Sequence, residues 1–334
     1  RIGSNFRGVL EVRDAKGKLL AHCADTTGHD LSLTFGVEKD QGYSIRVREL
    51  DFRGHRSYVY RLGVRDGGRV LATLPASVRR GSRPKLLVRI ATGNGTTRLV
   101  PHGISIAPDA PATVPLGFAR CFIFPFLGLD GLSYTLPVSD LPETTESELR
   151  AGSTGGPVSF PGIPAGVTGE LETPNEVDSW QFTAKKGRRV RIEVFSARLG
   201  SALDLLLELL GPDGKTIATA DDVEGTTDAH LALALPLDGS YTLRLSDLAG
   251  RSATGHRVYR LVVRDEGPGF KVSTAQQVKL RLGGSLELPV KATRSGGFDG
   301  PIVLQVEGLP EGVTVTAGTE IPAGKTETKL KFEA

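Results

Sequence analysis

Methionine is absent from the 334 residues, so Arg1 is not a translation start and the expectation is a mature form or a segment of something longer. Cysteine occurs only as Cys23 and Cys121, which excludes a disulfide framework and any four-cysteine zinc or iron–sulfur site. The two form either one disulfide, in an oxidising compartment, or two inert buried thiols. Long apolar runs are missing: the best, Cys121 to Leu129, falls short of the roughly 18–20 residues of a membrane span. Charge of one sign is scarce too. Lys+Arg 41 against Asp+Glu 38 leaves +3, which points to neither nucleic acid nor an anionic membrane as partner.

The templates of catalysis are also absent. There is no G-x-S-x-G, H-E-x-x-H, P-loop or G-x-G-x-x-G, and the six histidines are scattered without helical ligand spacing. No enzymatic activity is expected of this chain. Its basic stretches, Arg79 to Lys85 and Lys185 to Arg189, lack interleaved aromatics and read as solvated charge that discourages edge-to-edge strand pairing.

What the chain has in quantity is punctuation, Gly 42 and Pro 20, alongside 39% hydrophobic residues, enough for ordinary cores. It also repeats itself. Leu10-Glu11, Gly17-Lys18, Asp40, Tyr43 and Tyr60-Arg-Leu-Gly-Val-Arg-Asp66 recur as Leu207-Glu208, Gly214-Lys215, Asp238, Tyr241 and Tyr259-Arg-Leu-Val-Val-Arg-Asp265. The repeat resolves the run Leu203–Leu210, which alone suits a helix or a strand, because its counterpart Phe6–Arg13 alternates and contains Gly and Val. Period-two patterns such as Val190, Ile192, Val194 and Tyr241, Leu243, Leu245 place one face of each strand on a core. The reading is all-β: tandem antiparallel β-sandwiches of jelly-roll or immunoglobulin-like type.

Five regions follow. Residues 1–66 are an incomplete sandwich, lacking about 30–35 N-terminal residues of the repeated unit. Residues 67–145 are a small connecting β domain and 146–164 a Glu/Ser/Gly/Pro-rich linker. Residues 165–266 are the complete sandwich and 267–334 an immunoglobulin-like one.

Residues 165–265 resemble the bacterial pre-peptidase C-terminal domain. The resemblance is carried by Asn175-Glu-Val-Asp178-Ser-Trp180-Gln-Phe182, Leu199-Gly-Ser-Ala-Leu-Asp204, Asp221-Asp222 and Asp238-Gly239-Ser-Tyr241. It implies a non-catalytic sandwich in secreted or surface proteins, often appended to hydrolases, and calcium binding in some members. The function expected is a structural or interaction segment of a larger secreted or cell-surface bacterial protein, located outside the cytoplasm. The alternative is a carbohydrate-, matrix-protein- or calcium-dependent binding module attached to an extracellular hydrolase. Its partners would be an extracellular polymer or protein, or neighbouring domains of the same polypeptide.

The acidic residues Asp178, Asp204, Asp221, Asp222 and Asp228 sit at strand ends and turns. Clustered carboxylates on loops supply the six to eight hard oxygens calcium prefers, so these five are the calcium candidates. Asp in turns also bonds its own backbone. Trp180, the single tryptophan, is read as a core anchor with its N–H bonded.

Overall fold

The computed structural model describes residues 6–24, 31–64, 68–93, 96–108, 122–125, 133–151, 156–222, 227–248, 250 and 257–334. Cys121 lies outside the described residues; Cys23 carries a free, half-buried thiol. No described helix is long and apolar enough to cross a membrane.

The described chain divides into two compact units. The first comprises Arg1–Phe182, Glu193–His230 and Tyr241–Val262; the second comprises Thr183–Ile192, Leu231–Ser240 and Val263–Ala334.

The first unit opens with β1 (Gly8–Asp14), β2 (Leu19–Ala24) and β3 (Tyr43–Glu49), in the order β2-β1-β3. The connecting region supplies β4 (Arg69–Leu74), β5 (Val78–Arg79), β6 (Lys85–Gly93), β7 (Thr96–Gly103), β8 (Phe122–Pro125), β9 (Ser133–Leu136) and β10 (Val138–Ser139). Its sheet β4-β6-β7 has its own core of Val70, Val78, Leu86, Val88, Ile90, Ile106, Leu136 and Val138.

The main sandwich is built from β11 (Glu143–Thr145), β12 (Val158–Ser159), β13 (Ala165–Glu170), β14 (Val177–Ala184), β15 (Arg189–Phe195), β16 (Leu205–Leu210), β17 (Thr216–Ala220), β18 (His230–Ala234), β19 (Gly239–Asp247) and β20 (Val258–Asp265). They form two five-stranded sheets, β11-β13-β20-β15-β18 and β12-β14-β19-β16-β17. Short parallel ladders stand at one edge of each, β11 with β13 and β12 with β14. Alternation sets the core as the pattern predicts: Leu205, Leu207 and Leu209 are fully buried, as are Tyr241, Leu243 and Leu245.

The 146–164 stretch departs from the linker expectation. It holds helix α1 (Glu146–Arg150) and β12, and β11 immediately precedes it, so the sandwich begins near residue 143 rather than 165. The reason lies on β20. That strand is buried from Val258 to Val263, and its Arg260 is fully enclosed. A buried guanidinium requires a counter-charge. Glu143 on β11 provides it, accepting from Arg260 Nε at 3.1 Å and pairing with its terminal nitrogen at 2.5 Å. Gly166 on β13 makes room, since a Cβ there would lie 2.5 Å from Glu143 Oε2.

The two stretches that match in sequence share a strand register. Leu10 faces Cys23, Glu11 faces His22, and a bulge follows Val12; Leu207 faces Ala220, Glu208 faces Thr219, and a bulge follows Leu209. On the other side Gly8 faces Glu49 and Leu10 faces Val47, as Leu205 faces Asp247 and Leu207 faces Leu245. Beyond this the repeats differ. Tyr259–Asp265 lies in a central strand, whereas Tyr60–Val64 has no strand pairing and exposes Tyr60, Leu62 and Val64. β20 is held by β13 and β15, and the described residues of the first repeat contain no counterpart of either.

The second unit contains the segments Thr183–Ile192 and Leu231–Ser240, with the strand ends they carry, and beyond them β21 (Gly269–Ser273), β22 (Ser285–Ser295), β23 (Ile302–Val303), β24 (Thr314–Ala317), β25 (Glu320–Ile321) and β26 (Glu327–Glu333). The order β21-β22-β26-β24, with β23 paired to β25, encloses Val290, Ala292, Ile302, Ile321, Leu330 and Phe332. The basic turn is neutralised within this unit: Arg188 forks onto Asp265 at 2.7 and 3.1 Å, and Asp238 accepts from the Lys186 amide at 2.7 Å.

Two ion pairs of unlike burial make a test. Replacing Glu143 by Gln leaves Arg260 charged in the core and is expected to cost about 3–5 kcal/mol. Asp140→Asn removes the surface pair with Arg80 and is expected to cost at most about 1 kcal/mol. Denaturant unfolding of the two variants measures the difference.

Candidate functional site

Along β14 the even positions face inward: Asp178, Trp180, Phe182 and Ala184 are buried, and Val177, Gln181 and Thr183 are exposed. Strand geometry therefore carries the carboxyl of Asp178 to an interior position, where it is 1% exposed. The residue is held by a relay across the sandwich. Trp180 Nε1 donates to Tyr259 Oη at 3.0 Å, and Tyr259 Oη donates to Asp178 Oδ2 at 2.6 Å. This satisfies the tryptophan N–H, as its reading as a core anchor requires. Gly169 of β13 lies against the phenol; a Cβ there would stand 2.3 Å from Tyr259 and 2.8 Å from Glu146 Oε2.

Helix α1 closes the other side. Its start is fixed by a capping box: Thr145 Oγ1 accepts from the Glu148 amide at 3.3 Å, and Glu148 accepts from the Thr145 amide at 2.8 Å. Burial pushes the Glu148 carboxyl up, but the hydrogen bonds from Thr144 and Thr145 outweigh it and leave the carboxyl below its usual range. One turn on, Arg150 Nε donates to Glu146 Oε1 at 2.5 Å, and a terminal nitrogen of Arg150 lies 3.6 Å from Asp178 Oδ1.

Electrostatics follows from this enclosure. Burial, and then the nearby Glu146 carboxylate, push Asp178 up to about 7, against the pull of the Tyr259 hydroxyl and Arg150. Burial and the Asp178 charge hold the Tyr259 phenol well above its ordinary value. Its proton stays on oxygen and remains available to donate.

The other carboxylates are dispersed. Asp228 is buried at the 3-10 turn Ala197–Leu199 and accepts from the amides of Ser196 (2.6 Å), Ala197 (2.7 Å) and Arg198 (3.3 Å), from Ser196 Oγ (3.2 Å) and from the Arg198 guanidinium. Asp204 is half-buried, and its amide donates to Asp247 at 3.1 Å. Asp221 and Asp222 are exposed, and the Asp222 amide donates to Asp221 Oδ1 at 2.8 Å. Among the described residues, no three His, Cys, Asp or Glu side chains converge in a way that could hold a metal ion. Asp228 is committed to the turn it ties down, and the Arg150 cation already stands beside Asp178.

Glu146, Arg150 and Tyr259 were not singled out from the sequence. The signal for the first two was the Thr145-x-x-Glu148 capping pattern. For Tyr259 it was a polar ring within an otherwise continuous buried strand.

Comparison with known proteins places this geometry. The family model of the bacterial pre-peptidase C-terminal domain matches residues 176–247. A domain of that family is found there. It holds Asp178 and Trp180, while Tyr259, Glu146 and Arg150 come from flanking segments beyond the matched range. A probable subtilase-type serine protease of Deinococcus radiodurans is 36% identical over 74 residues, which are 22% of this chain and 10% of that protein. The chain thus spans a tenth of the length of the curated relative it matches. Among solved structures, the pre-peptidase C-terminal domain of a Bacillus anthracis collagenase is 14% identical, covers 34% of this chain and 100% of its own, and gives a TM-score of 0.27. The Aeromonas hydrophila protein PliG, a periplasmic inhibitor of g-type lysozyme, is 18% identical over 37% of this chain and 98% of its own, with a TM-score of 0.26.

The raised Asp178 gives a pH test. Its folded value of about 7 lies above the ordinary value of roughly 3.9, so the folded state binds the proton more tightly than the unfolded state. The stability it contributes is full below about pH 4 and is lost as pH rises towards 7. The melting temperature relative to that of Asp178→Asn is expected to fall from pH 5 to pH 8, read by calorimetry at each pH.

Proposed function

We propose that the chain is a non-catalytic structural and interaction segment of a larger extracytoplasmic protein, in which tandem β-sandwiches space or target other domains. The observation that carries this reading is the pre-peptidase C-terminal domain at residues 176–247, with a relative in a protease ten times its extent. Domains of this family accompany secreted proteases and other hydrolases. In this reading the whole polypeptide lies outside the cytoplasm, and catalysis belongs to another part of it.

The reading extends to the flanks. Residues 1–66 are a second, divergent copy of the same unit, supported by the register that Leu10 and Leu207 share with their neighbours on both sides. Residues 267–334 form an immunoglobulin-like sandwich, supported by six strands around one apolar core. The partners are an extracellular polymer or protein, or the adjoining domains.

The buried site fits a structural duty. Trp180, Tyr259 and Asp178 tie the two sheets together, and α1 ties the entering chain to both. Tyr259→Phe is expected to lower the melting temperature by several degrees, because it leaves the Trp180 N–H and the Asp178 carboxyl without their buried partner. The functional test is an assay of the purified 334-residue chain on casein, collagen and neutral polysaccharides. No turnover is expected; hydrolysis that survives further purification and is lost on a point substitution within this chain would overturn the proposal.

A further inference from the structure

Between β20 and β21 the chain has only Glu266, Gly267 and Pro268 in which to pass into the last six strands. Glycine carries the widest backbone freedom of any residue, so a link of this composition turns easily unless something holds it. What stands beside it is the basic turn Lys185–Arg189, which the sequence alone presents as solvated charge. Turn and link both belong to the second unit.

Each acid at the end of β20 meets arginine from that side. The Arg188 guanidinium forks onto Asp265 at 2.7 and 3.1 Å, a geometry that fixes both groups. One residue on, the Glu266 amide donates to the Arg189 carbonyl at 3.0 Å. The Glu266 carboxylate lies 3.5 Å from a terminal nitrogen of Arg189 and 4.0 Å from one of Arg191. Its side chain is 6% exposed, against 42% for Arg189. A carboxylate so enclosed must keep counter-charge beside it, whereas Arg189 is open to dissolved ions.

The stem of the same arginine lies beside the turn that follows β22. A Cβ on Gly297 would stand 4.0 Å from Arg189 Cδ, and a Cβ on Gly296 would collide with the Gly267 carbonyl oxygen. Both glycines are left-handed, with φ of 61° and 78°. The contacts close a ring: Glu266 to Arg189, Arg189 to Gly297, and Gly296 back to Gly267.

We propose that this ring is a salt-sensitive latch on the entry to the last six strands, shut while Glu266 holds Arg189 and released when dissolved ions take the place of either. The distances separate the two acids. Asp265 is held by direct, forked hydrogen bonds, and Glu266 by longer pairings that depend on charge. The screening length falls from about 10 Å at 0.1 M salt to about 3 Å at 1 M, which is shorter than either Glu266 pairing. With Arg189 drawn away, Gly297 loses its neighbour and Gly267 is left to turn.

Hydrogen exchange of the full chain, read by mass spectrometry at about 0.1 M and about 1 M sodium chloride, tests the latch. The peptide 263–270 is expected to exchange about fivefold faster at the higher salt, while the peptide 286–292 from the core of the last strands keeps its rate. Glu266→Gln retains the shape without the charge, so its peptide 263–270 is expected to exchange fast at both salt levels. Three results would overturn the proposal: no salt response of 263–270 in the parent, an equal response in 286–292, or a Glu266→Gln variant that keeps the slow exchange or the salt response of the parent. The salt series on the parent decides the matter even where the variant folds poorly. None of these outcomes touches the accessory role, which rests on residues 176–247.

Discussion

Much of the main sandwich is arranged around one demand: a strand covered on both faces carries a phenol and a guanidinium that must be given partners. β20 runs through the middle of its sheet with Tyr259 and Arg260 fully enclosed. Neither side chain is satisfied by its strand neighbours alone. Tyr259 takes Trp180 and Asp178 from the opposite sheet, and Arg260 takes Glu143 from the edge strand. The cost of burying these groups without partners draws otherwise hydrophilic chain into the fold. Gly166 and Gly169, bare of side chains, are the space through which those partners reach in.

The same demand explains what could and could not be seen in the amino-acid order. Period-two runs such as Tyr241, Leu243 and Leu245 announce their strands because hydrophobic burial is a local pattern. The repeat fixes the β16–β17 hairpin by comparison with a second example. Trp180 could be placed in the core for the same reason. The stretch 146–164 could not be placed correctly: its composition is that of a tether, and what binds it is tertiary, Arg150 beside Asp178 and β12 paired with β14. Asp178 was selected as a metal ligand because an acid at a strand start suggests a loop. Counting alternation from Trp180 would have put it indoors, where a phenol and an arginine are the natural company for a carboxylate.

The two hairpins β1–β2 and β16–β17 follow one plan. Their registers and bulges agree down to single residues, since a slip of one residue would turn every apolar side chain to the wrong face. At the corner that follows, Phe52 and Gly250 both take the left-handed conformation, with φ of 57° and 51°.

One contact described above also has a mechanical meaning. Ser139 closes the last strand of the connecting domain, and its hydroxyl accepts from the same Arg260 that Glu143 neutralises, at 3.3 Å. On the other side of that domain, Arg89 pairs with Glu170 of β13 at 2.6 Å, and the Ala76 amide donates to Thr168 at 2.8 Å. Three separated attachments leave no swivel at this junction. Tension along the polypeptide would have to break an ion pair and two hydrogen bonds to hydroxyls before this junction could swing.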